Sequence, residues 1–293
     1  MATEARPTAA FRGKWEAIRD TGILGKLTPR GLKSMKLLLQ EGSRPHLLYN
    51  LHAYNFPDKP AFVFGDRSIS FGELLARVNR LANALYRLGV RPGDRVAMML
   101  KNSPEYLEVQ TACSKIGAAA VFVNYRLTPP EVEYIVNNSG STALVYDHDF
   151  AGTVEAARDR FEGVAKDRYV VVRGAGAPGD KRYEDLLAAN SPEDPPSPGR
   201  AGTNQVVIYT SGTTGRPKGA VRNMAKAGVG EILNFLQVVP VRHSDVHLVC
   251  APMYHATATG LGTTNFVFGA TLAIMERFRP EEFLAAVARH GVT

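Results

Sequence analysis

A short loop rich in glycine and hydroxyl side chains is the part of this sequence best suited to chemistry. Residues 209 to 219 read Tyr-Thr-Ser-Gly-Thr-Thr-Gly-Arg-Pro-Lys-Gly and directly follow the apolar run Val206-Val207-Ile208. Glycines let backbone amides approach a polyanion, hydroxyls donate to phosphate oxygens, and a lysine adds positive charge. The pattern therefore predicts a phosphate-binding loop. Its candidate binding residues are Thr210, Ser211, Gly212, Thr213, Thr214, Gly215 and Lys218.

The loop is not a P-loop, although that motif also places glycines and a lysine after a strand. The P-loop pattern requires a glycine, four residues and then Gly-Lys-Ser/Thr. Counted from Gly212, the second glycine position holds Pro217, and Lys218 is followed by Gly219. An ordinary surface turn is the remaining alternative to a phosphate-binding loop.

His255 is a second candidate functional residue. It follows a strand-like run, residues 246 to 250, and a Pro-Met-Tyr turn. A lone histidine is more often structural, so the sequence alone does not assign it to a pocket. The residues after it are small: Ala256, Thr257, Ala258, Thr259, Gly260 and Gly262.

The loop at residues 209 to 219 closely resembles the signature loop of the adenylate-forming enzymes, which include acyl-CoA synthetases, luciferases and the adenylation domains of peptide synthetases. Two further segments support this resemblance: Ala251-Pro-Met-Tyr-His255 and the run from Lys115 to Asn124. Within the superfamily, the basic N-terminal leader and the Met-Tyr-His segment look most like a fatty-acid or related carboxylate–CoA ligase. The resemblance extends from about Leu47 to the last residue.

This resemblance implies a fold, a reaction and roles for residues. The fold would be the layered αβαβα N-terminal domain of an adenylate-forming enzyme. The substrates would be a small-molecule carboxylate, ATP with Mg²⁺, and coenzyme A, and the product an acyl-CoA formed through an acyl-adenylate. Lys218 and His255 would act in catalysis, His255 would border the acid-binding pocket, and Thr210 would help to coordinate Mg²⁺.

Several motifs of the superfamily do not occur in these 293 residues. Family members continue with a Tyr-Gly-x-Thr-Glu segment, an aspartate for the ribose, a hinge and a mobile C-terminal domain that supplies a lysine. We therefore interpret the sequence as an N-terminal portion that does not turn over substrate alone, with an apolar last helix that favours dimerisation. The competing class is a non-catalytic nucleotide- or acyl-binding module.

Helical and extended patterns alternate along the chain with clear end signals. Ser70 with Glu73, and Thr128 with Glu131, have the spacing of capping boxes, and Ser103-Pro104 opens another helix. The alternation of strands and helices predicts an α/β fold with largely parallel sheets covered by helices. A Pro-rich stretch at residues 190 to 203 suggests a boundary. The predicted units are a basic leader (1–46), a first α/β unit (47–199) and the start of a second (200–293).

Two motifs resemble other kinds of site and are rejected. Residues 174 to 179 match the G-x-G-x-x-G dinucleotide motif, but Pro178 lies inside the turn and only a short helix follows, which favours a surface loop. His243 and His247 have the spacing of a zinc pair on a helix, but the sequence here runs into a strand, where that spacing gives no shared helical face.

Composition and charge restrict the remaining classes. The net charge of +7 is concentrated in residues 1 to 46. A nucleic-acid-binding protein would be expected to spread basic and aromatic residues over a folded face, and the sequence does not show this pattern. Two cysteines in so long a chain argue against a disulfide framework, and the cytoplasm is the expected compartment. The leader combines basic and apolar residues, so it either packs on the body as a helix or contacts anionic lipid at the inner membrane face.

Overall fold

The structure, a computed structural model, describes residues 13–22, 25, 27–41, 44–198, 205–210, 217–223 and 229–293. The helices are α1 (Lys14–Asp20), α2 (Pro29–Glu41), α3 (Pro45–Asn55), α4 (Phe71–Arg87), α5 (Pro104–Ile116), α6 (Pro129–Asn138), α7 (Ala151–Arg158), α8 (Tyr183–Ala188), α9 (Val229–Val238), α10 (Ala256–Val267) and α11 (Pro280–His290). The strands are β1 (Pro60–Phe64), β2 (Arg67–Ser70), β3 (Arg95–Met99), β4 (Ala119–Phe122), β5 (Ala143–Asp147), β6 (Tyr169–Val172), β7 (Lys181–Arg182), β8 (Gln205–Thr210), β9 (Lys218–Asn223), β10 (Val246–Val249) and β11 (Thr271–Ile274).

A seven-stranded sheet in the order β7-β6-β5-β3-β4-β8-β9 forms the centre of the molecule. Its strands pair in parallel except β8 and β9, which form an antiparallel pair at one edge. Strands β3 to β6 are almost fully buried, as expected when helices cover both faces of a parallel sheet. The predicted α/β class with largely parallel sheets is therefore confirmed.

A second sheet of four strands has the order β10-β11-β1-β2. Strands β10 and β11 are parallel, β11 is parallel to β1, and β1 and β2 form an antiparallel hairpin. The hairpin turns at Gly65, whose φ of +58° lies in the left-handed region that glycine adopts most easily.

The two sheets combine strands from both sides of the predicted boundary at residue 199. Strand β8 lies beside β4, with Val121 opposite Val207, and so extends the sheet formed by the earlier strands. Strand β1 lies beside β11, with Phe62 opposite Leu272. The division into units 47–199 and 200–293 stays a prediction, and it does not follow the division into sheets.

Alternate residues of the central strands enter two different clusters of apolar side chains. On β3, Val96 and Met98 join the cluster that includes α4, α5 and α10, together with Phe62 of the second sheet. Ala97 and Met99 join the cluster on the opposite face, which includes α6 and α7. This alternation follows from the two-residue period of a strand and produces helix layers on both faces of the sheet.

Several predicted helix ends are confirmed by their hydrogen bonds. At the start of α4, the amide of Glu73 donates to Ser70 Oγ at 3.2 Å and the amide of Ser70 donates to Glu73 Oε2 at 2.8 Å. At α6, the amide of Thr128 donates to Glu131 Oε2 at 2.8 Å. Helix α5 ends at Gly117, which has a left-handed φ of +75°.

The described part of the basic leader packs on the body of the protein. Helix α1 contacts α9, and α2 contacts α3. At the start of α2, the amide of Thr28 donates to Asn55 Oδ1 at 3.0 Å. Trp15 and Leu32 nevertheless stay exposed, so contact with lipid stays a prediction. Within the described residues, no helix is both long and apolar enough to span a bilayer.

Candidate active site

The predicted phosphate-binding loop connects the end of β8 to the start of β9. Thr210 is the last residue of β8 and lies opposite Lys218, the first residue of β9. Lys218 is exposed at this point. The predicted binding residues Ser211, Gly212, Thr213, Thr214 and Gly215 lie outside the described residues, and Thr210 is described only by its place in the strand. The structure thus fixes the two ends of the loop.

Tyr209 and Gly219 pack together at the base of the loop. They are partners in the antiparallel pair, and a Cβ atom added to Gly219 would lie 3.0 Å from the Tyr209 ring. The Tyr209 hydroxyl donates to Asn138 Oδ1, at the end of α6, over 2.7 Å. A side chain at position 219 would push against this ring, so glycine here keeps the two strands close.

His255 is the residue that precedes α10, and its side chain is exposed. The neighbouring Tyr254 is buried, and its ring meets the ring of Tyr125 edge-on with centroids 5.3 Å apart. Tyr125 follows β4, which is the strand beside β8. The turn that carries His255 therefore contacts the same sheet edge at which the phosphate-binding loop begins.

This edge is formed by the carboxyl ends of the parallel strands. Helix α5 follows β3 and helix α6 follows β4, and the two helices belong to clusters on opposite faces of the sheet. Ligands of open α/β sheets bind at the carboxyl ends of the strands where successive connections diverge in this way. The position of the loop and the His255 turn agrees with that rule.

A partly apolar cavity lies between α5, α10 and the start of β8. Leu107, Phe266 and Val267 contribute its apolar wall, and Gln110 donates to Thr263 Oγ1 at 3.5 Å along its polar side. Outside this cavity, there is open space beside Gly260 in the first half of α10, since a Cβ added there would meet no atom within 4 Å.

A group of charged side chains connects the two sheets near the same edge. Lys101, which follows β3, pairs with Asp149 and lies 3.1 Å from Glu276 Oε1. Arg173 pairs with Asp147. The hydrogen bond from Lys101 lowers the pKa of Asp149.

These ion pairs bear on a possible cation site. Among the described residues, Asp147, His148 and Asp149 place ligand atoms within 4.8 Å of one another. Lys101 and Arg173 already neutralise the two carboxylates, so we interpret the group as an ion-pair network.

The two rejected motifs have ordinary structural positions. The glycine-rich residues 174 to 179 form a largely exposed loop that leads into β7 rather than opening a helix, which confirms the surface-loop interpretation. His243 packs against Phe56 and His52, with ring centroids 4.3 and 5.7 Å away, whereas His247 lies in β10.

Two residues near the site were not identified from the sequence. Asn102 and Tyr125 follow the strands β3 and β4 and contact the turn at residues 251 to 254. The available signal was a polar or aromatic residue within three positions of the end of a buried strand, because such residues lie at the edge where ligands bind.

A largely parallel sheet with the two ends of a glycine- and hydroxyl-rich segment at its carboxyl edge is typical of α/β proteins that bind nucleotides. The chain belongs to the family of AMP-binding enzymes, whose model matches residues 50–293. This agrees with the predicted membership of the adenylate-forming superfamily.

Curated relatives of the chain are ligases of carboxylic acids. A feruloyl-CoA synthase of Amycolatopsis is 34% identical over 238 residues, which cover 81% of this chain and 45% of that protein. A long-chain-fatty-acid–CoA ligase of Mycobacterium tuberculosis is 33% identical over 213 residues, with coverage of 73% and 41%. The chain thus spans less than half the length of these relatives.

Solved structures show the same architecture. The inhibitor-bound N-terminal domain of FACL13 from Mycobacterium tuberculosis superimposes with a TM-score of 0.74 at 28% identity, covering 85% of this chain and 61% of that one. A putative long-chain-fatty-acid CoA ligase from Rhodopseudomonas palustris gives a TM-score of 0.76 at 28% identity, with coverage of 86% and 62%. The fold is that of the N-terminal domains of adenylate-forming enzymes.

Proposed function

We propose that this chain supplies the ATP- and acid-binding part of an acid–thiol ligase that converts a medium- to long-chain fatty acid to acyl-AMP and then to acyl-CoA. The observation that carries the proposal is the β8–β9 pair, which sets Lys218 opposite Thr210 at the carboxyl edge of the sheet. The Ala251–His255 turn contacts the same edge through Tyr125 and Tyr254. Phosphate and acid binding would therefore occur side by side.

In the first step, an oxygen of the carboxylate attacks the α-phosphorus of ATP, and the bond to pyrophosphate breaks. Lys218 and the loop amides would stabilise negative charge on the phosphate oxygens. Mg²⁺, when bound, would neutralise further phosphate charge. Thr210 could supply one hydroxyl ligand to the ion, and phosphate oxygens and water would supply the others, as is usual for this ion.

On the acid side, His255 would border the carboxylate, and the acyl chain would extend along the small residues that follow it. Gly260, where an added Cβ atom would meet no atom within 4 Å, supports room for such a chain. Coenzyme A would then attack the acyl carbon of the mixed anhydride through its thiol, with AMP as the leaving group.

Nucleotide binding tests the assignment of the loop. We expect Lys218→Ala and Gly215→Val to weaken the binding of a non-hydrolysable ATP analogue at least about tenfold, as measured by titration calorimetry, because one removes charge and the other fills the loop. Lys181→Ala is a matched control, since Lys181 is an exposed strand residue at the far edge of the same sheet. Unchanged affinity in both loop variants would show that the assignment is wrong.

A turnover assay separates a ligase from a binding module. We expect the 293-residue chain to bind nucleotide and fatty acid without releasing pyrophosphate at a useful rate, because loss of even one group that stabilises the transition state typically costs ~10²-fold. Adding the C-terminal portion of a relative in trans should restore acyl-CoA formation. Binding that never leads to turnover, even with that portion present, would favour the non-catalytic module. Acyl-CoA formation by the chain alone would contradict the expectation that turnover requires the C-terminal portion.

A further inference from the structure

The side chain of Asn102 connects three separate strand ends. Asn102 follows β3 and is 2% exposed. Its Nδ2 donates to the carbonyl oxygens of Ala251 and Met275, each at 3.0 Å, and its Oδ1 accepts from the amide of Met253 at 2.8 Å. The first strand end belongs to the seven-stranded sheet, and the other two follow β10 and β11 of the four-stranded sheet.

The pattern of these bonds is specific to a side-chain amide. Ala251 and Met253 flank Pro252, so Asn102 forms hydrogen bonds with the turn on both sides of the proline. Its side chain offers both a donor and an acceptor, as the backbone of a neighbouring strand would. An aspartate at this position keeps the acceptor but turns a carboxylate toward two carbonyl oxygens. An alanine leaves all three backbone groups without this partner, which is costly for the buried amide of Met253 and the buried carbonyl of Met275.

The turn that Asn102 binds, residues 251 to 253, leads directly to His255 and α10. Thr259, in the first turn of α10, donates through its hydroxyl to the carbonyl of Met253, so the helix is tied to the same turn. Tyr254 packs edge-on against Tyr125, which follows β4 of the larger sheet. The neighbouring ion pair between the sheets, from Lys101 to Glu276, uses a carboxylate that is 41% exposed, so solvent screens it more than it screens the bonds of Asn102. Asn102 is the buried part of this connection.

We propose that Asn102 is a positioning residue, which holds the turn carrying His255 at a fixed place relative to the sheet edge that carries Lys218. Its effect is on ligands that occupy both halves of the site at once. An acyl-adenylate would contact the acid-binding turn and the phosphate-binding loop at once, whereas a nucleotide alone would not contact the acid-binding turn. This inference rests on the proposed function.

The position of the turn can be measured without any ligand. In Asn102→Asp and Asn102→Ser, we expect amide hydrogen exchange of residues 250 to 258 to become at least about tenfold faster. The serine is too short to keep all three bonds, and the aspartate turns a carboxylate toward the carbonyl oxygens of Ala251 and Met275. Asn83→Asp is a matched control: Asn83 Nδ2 also donates to two carbonyl oxygens, those of Ser191 and Glu193, each at 2.9 Å, but on the far side of α4. Unchanged exchange in both Asn102 variants would overturn the proposal.

The effect on ligands is measured by titration with a decanoyl sulfamoyl-adenosine, a stable analogue of an acyl-adenylate, and with an ATP analogue. We expect both Asn102 variants to lose about tenfold in affinity for the first and less than about threefold for the second, while Asn83→Asp changes neither. A parallel loss of both affinities would mean that Asn102 acts on the whole fold, and the proposal would be wrong. If the unaltered chain binds neither analogue, the proposed function fails, while the exchange measurement still decides whether Asn102 holds the turn.

Discussion

Helices α5 and α11 have the same end signals and opposite surroundings. Each has a proline in its first turn and ends at a left-handed glycine, Gly117 for α5 and Gly291 for α11. Yet α5 buries all but two of its thirteen residues, whereas α11 buries none. The local signals that start and stop a helix therefore do not determine how deeply it is buried.

The contrast extends to charge and to apolar residues. Helix α5 carries Glu108 and Lys115 into the interior, where they pair with Arg77 and Asp194. Helix α11 presents Leu284 to solvent with 70% of the residue exposed. Burial depends on what the rest of the chain packs against a helix, so matched substitutions in the two helices should differ strongly.

The largest difference is expected for the arginine partners of the two helices. Arg77→Ala leaves Glu108, whose side chain is fully buried, without its ion-pair partner, and we expect a loss of about 3–5 kcal/mol in the free energy of unfolding. Arg279→Ala breaks the exposed pair with Glu282 at α11 and should cost less than about 0.5 kcal/mol. Urea unfolding of both variants measures this, and equal losses would contradict the contrast.

Matched leucines give the next largest difference. Leu107 in α5 is 1% exposed, so Leu107→Ala should cost about 3 kcal/mol through lost burial and the cavity that remains. Leu284→Ala should change the free energy of unfolding by less than about 0.5 kcal/mol. The same urea experiment tests the pair. A large effect of Leu284→Ala would show that α11 is covered in solution.

Acid sensitivity should arise near α5 rather than near α11. His46 Nδ1 lies 2.9 Å from Ser114 Oγ of α5, and its pKa is lowered to about 3, first by burial and then by Lys115 and Arg44, with Asp194 acting in the opposite direction. The folded state binds this proton less readily than the unfolded state does. Stability is therefore fully present above about pH 6.5 and falls as the pH drops toward 3.

The size of this effect should be roughly 2 kcal/mol by pH 5. We expect His46→Gln to flatten the dependence of the unfolding free energy on pH between 5 and 6.5. His290→Gln, in the last turn of α11, is the control and should leave the slope as it is. If the dependence of the unfolding free energy on pH does not change in His46→Gln, His46 is not its source.

A substitution on the exposed face of α11 should have the smallest effect on the free energy of unfolding. It should nevertheless have a measurable effect on self-association. Leu284→Lys should reduce self-association in sedimentation equilibrium, because it adds charge to an exposed apolar surface that otherwise favours contact between copies. Val238→Lys is the control, since Val238 is 71% exposed on α9. Equal effects of the two changes would mean that α11 has no special role in association.

Much of the local structure could be predicted from the sequence because its signals are local. The Ser70–Glu73 and Thr128–Glu131 spacings and the glycine after α5 each act within a few residues. Which strands become neighbours could not be predicted in the same way. A run such as Val206-Val207-Ile208 is equally suited to any buried position, and only packing over long distances places it beside β4.

The candidate site shows the same division. Lys218 and His255 were found because their segments have distinctive residue types, and both lie at or beside the carboxyl edge of the sheet. Asn102 was not identified from the sequence. Its three partners at residues 251, 253 and 275 lie about 150 residues or more along the chain, and no local pattern reveals such contacts.

The order of strands in the smaller sheet has a consequence for synthesis on the ribosome. The hairpin of β1 and β2 is complete by Ser70, but the neighbour of β1 is β11, where Phe62 lies opposite Leu272. At roughly 5–20 residues per second, the ribosome needs about 10–40 s to deliver that partner. Until then one edge of β1 stays open and can pair with another chain. Slow translation or high expression should therefore favour misassembly through this hairpin before the native sheet can close.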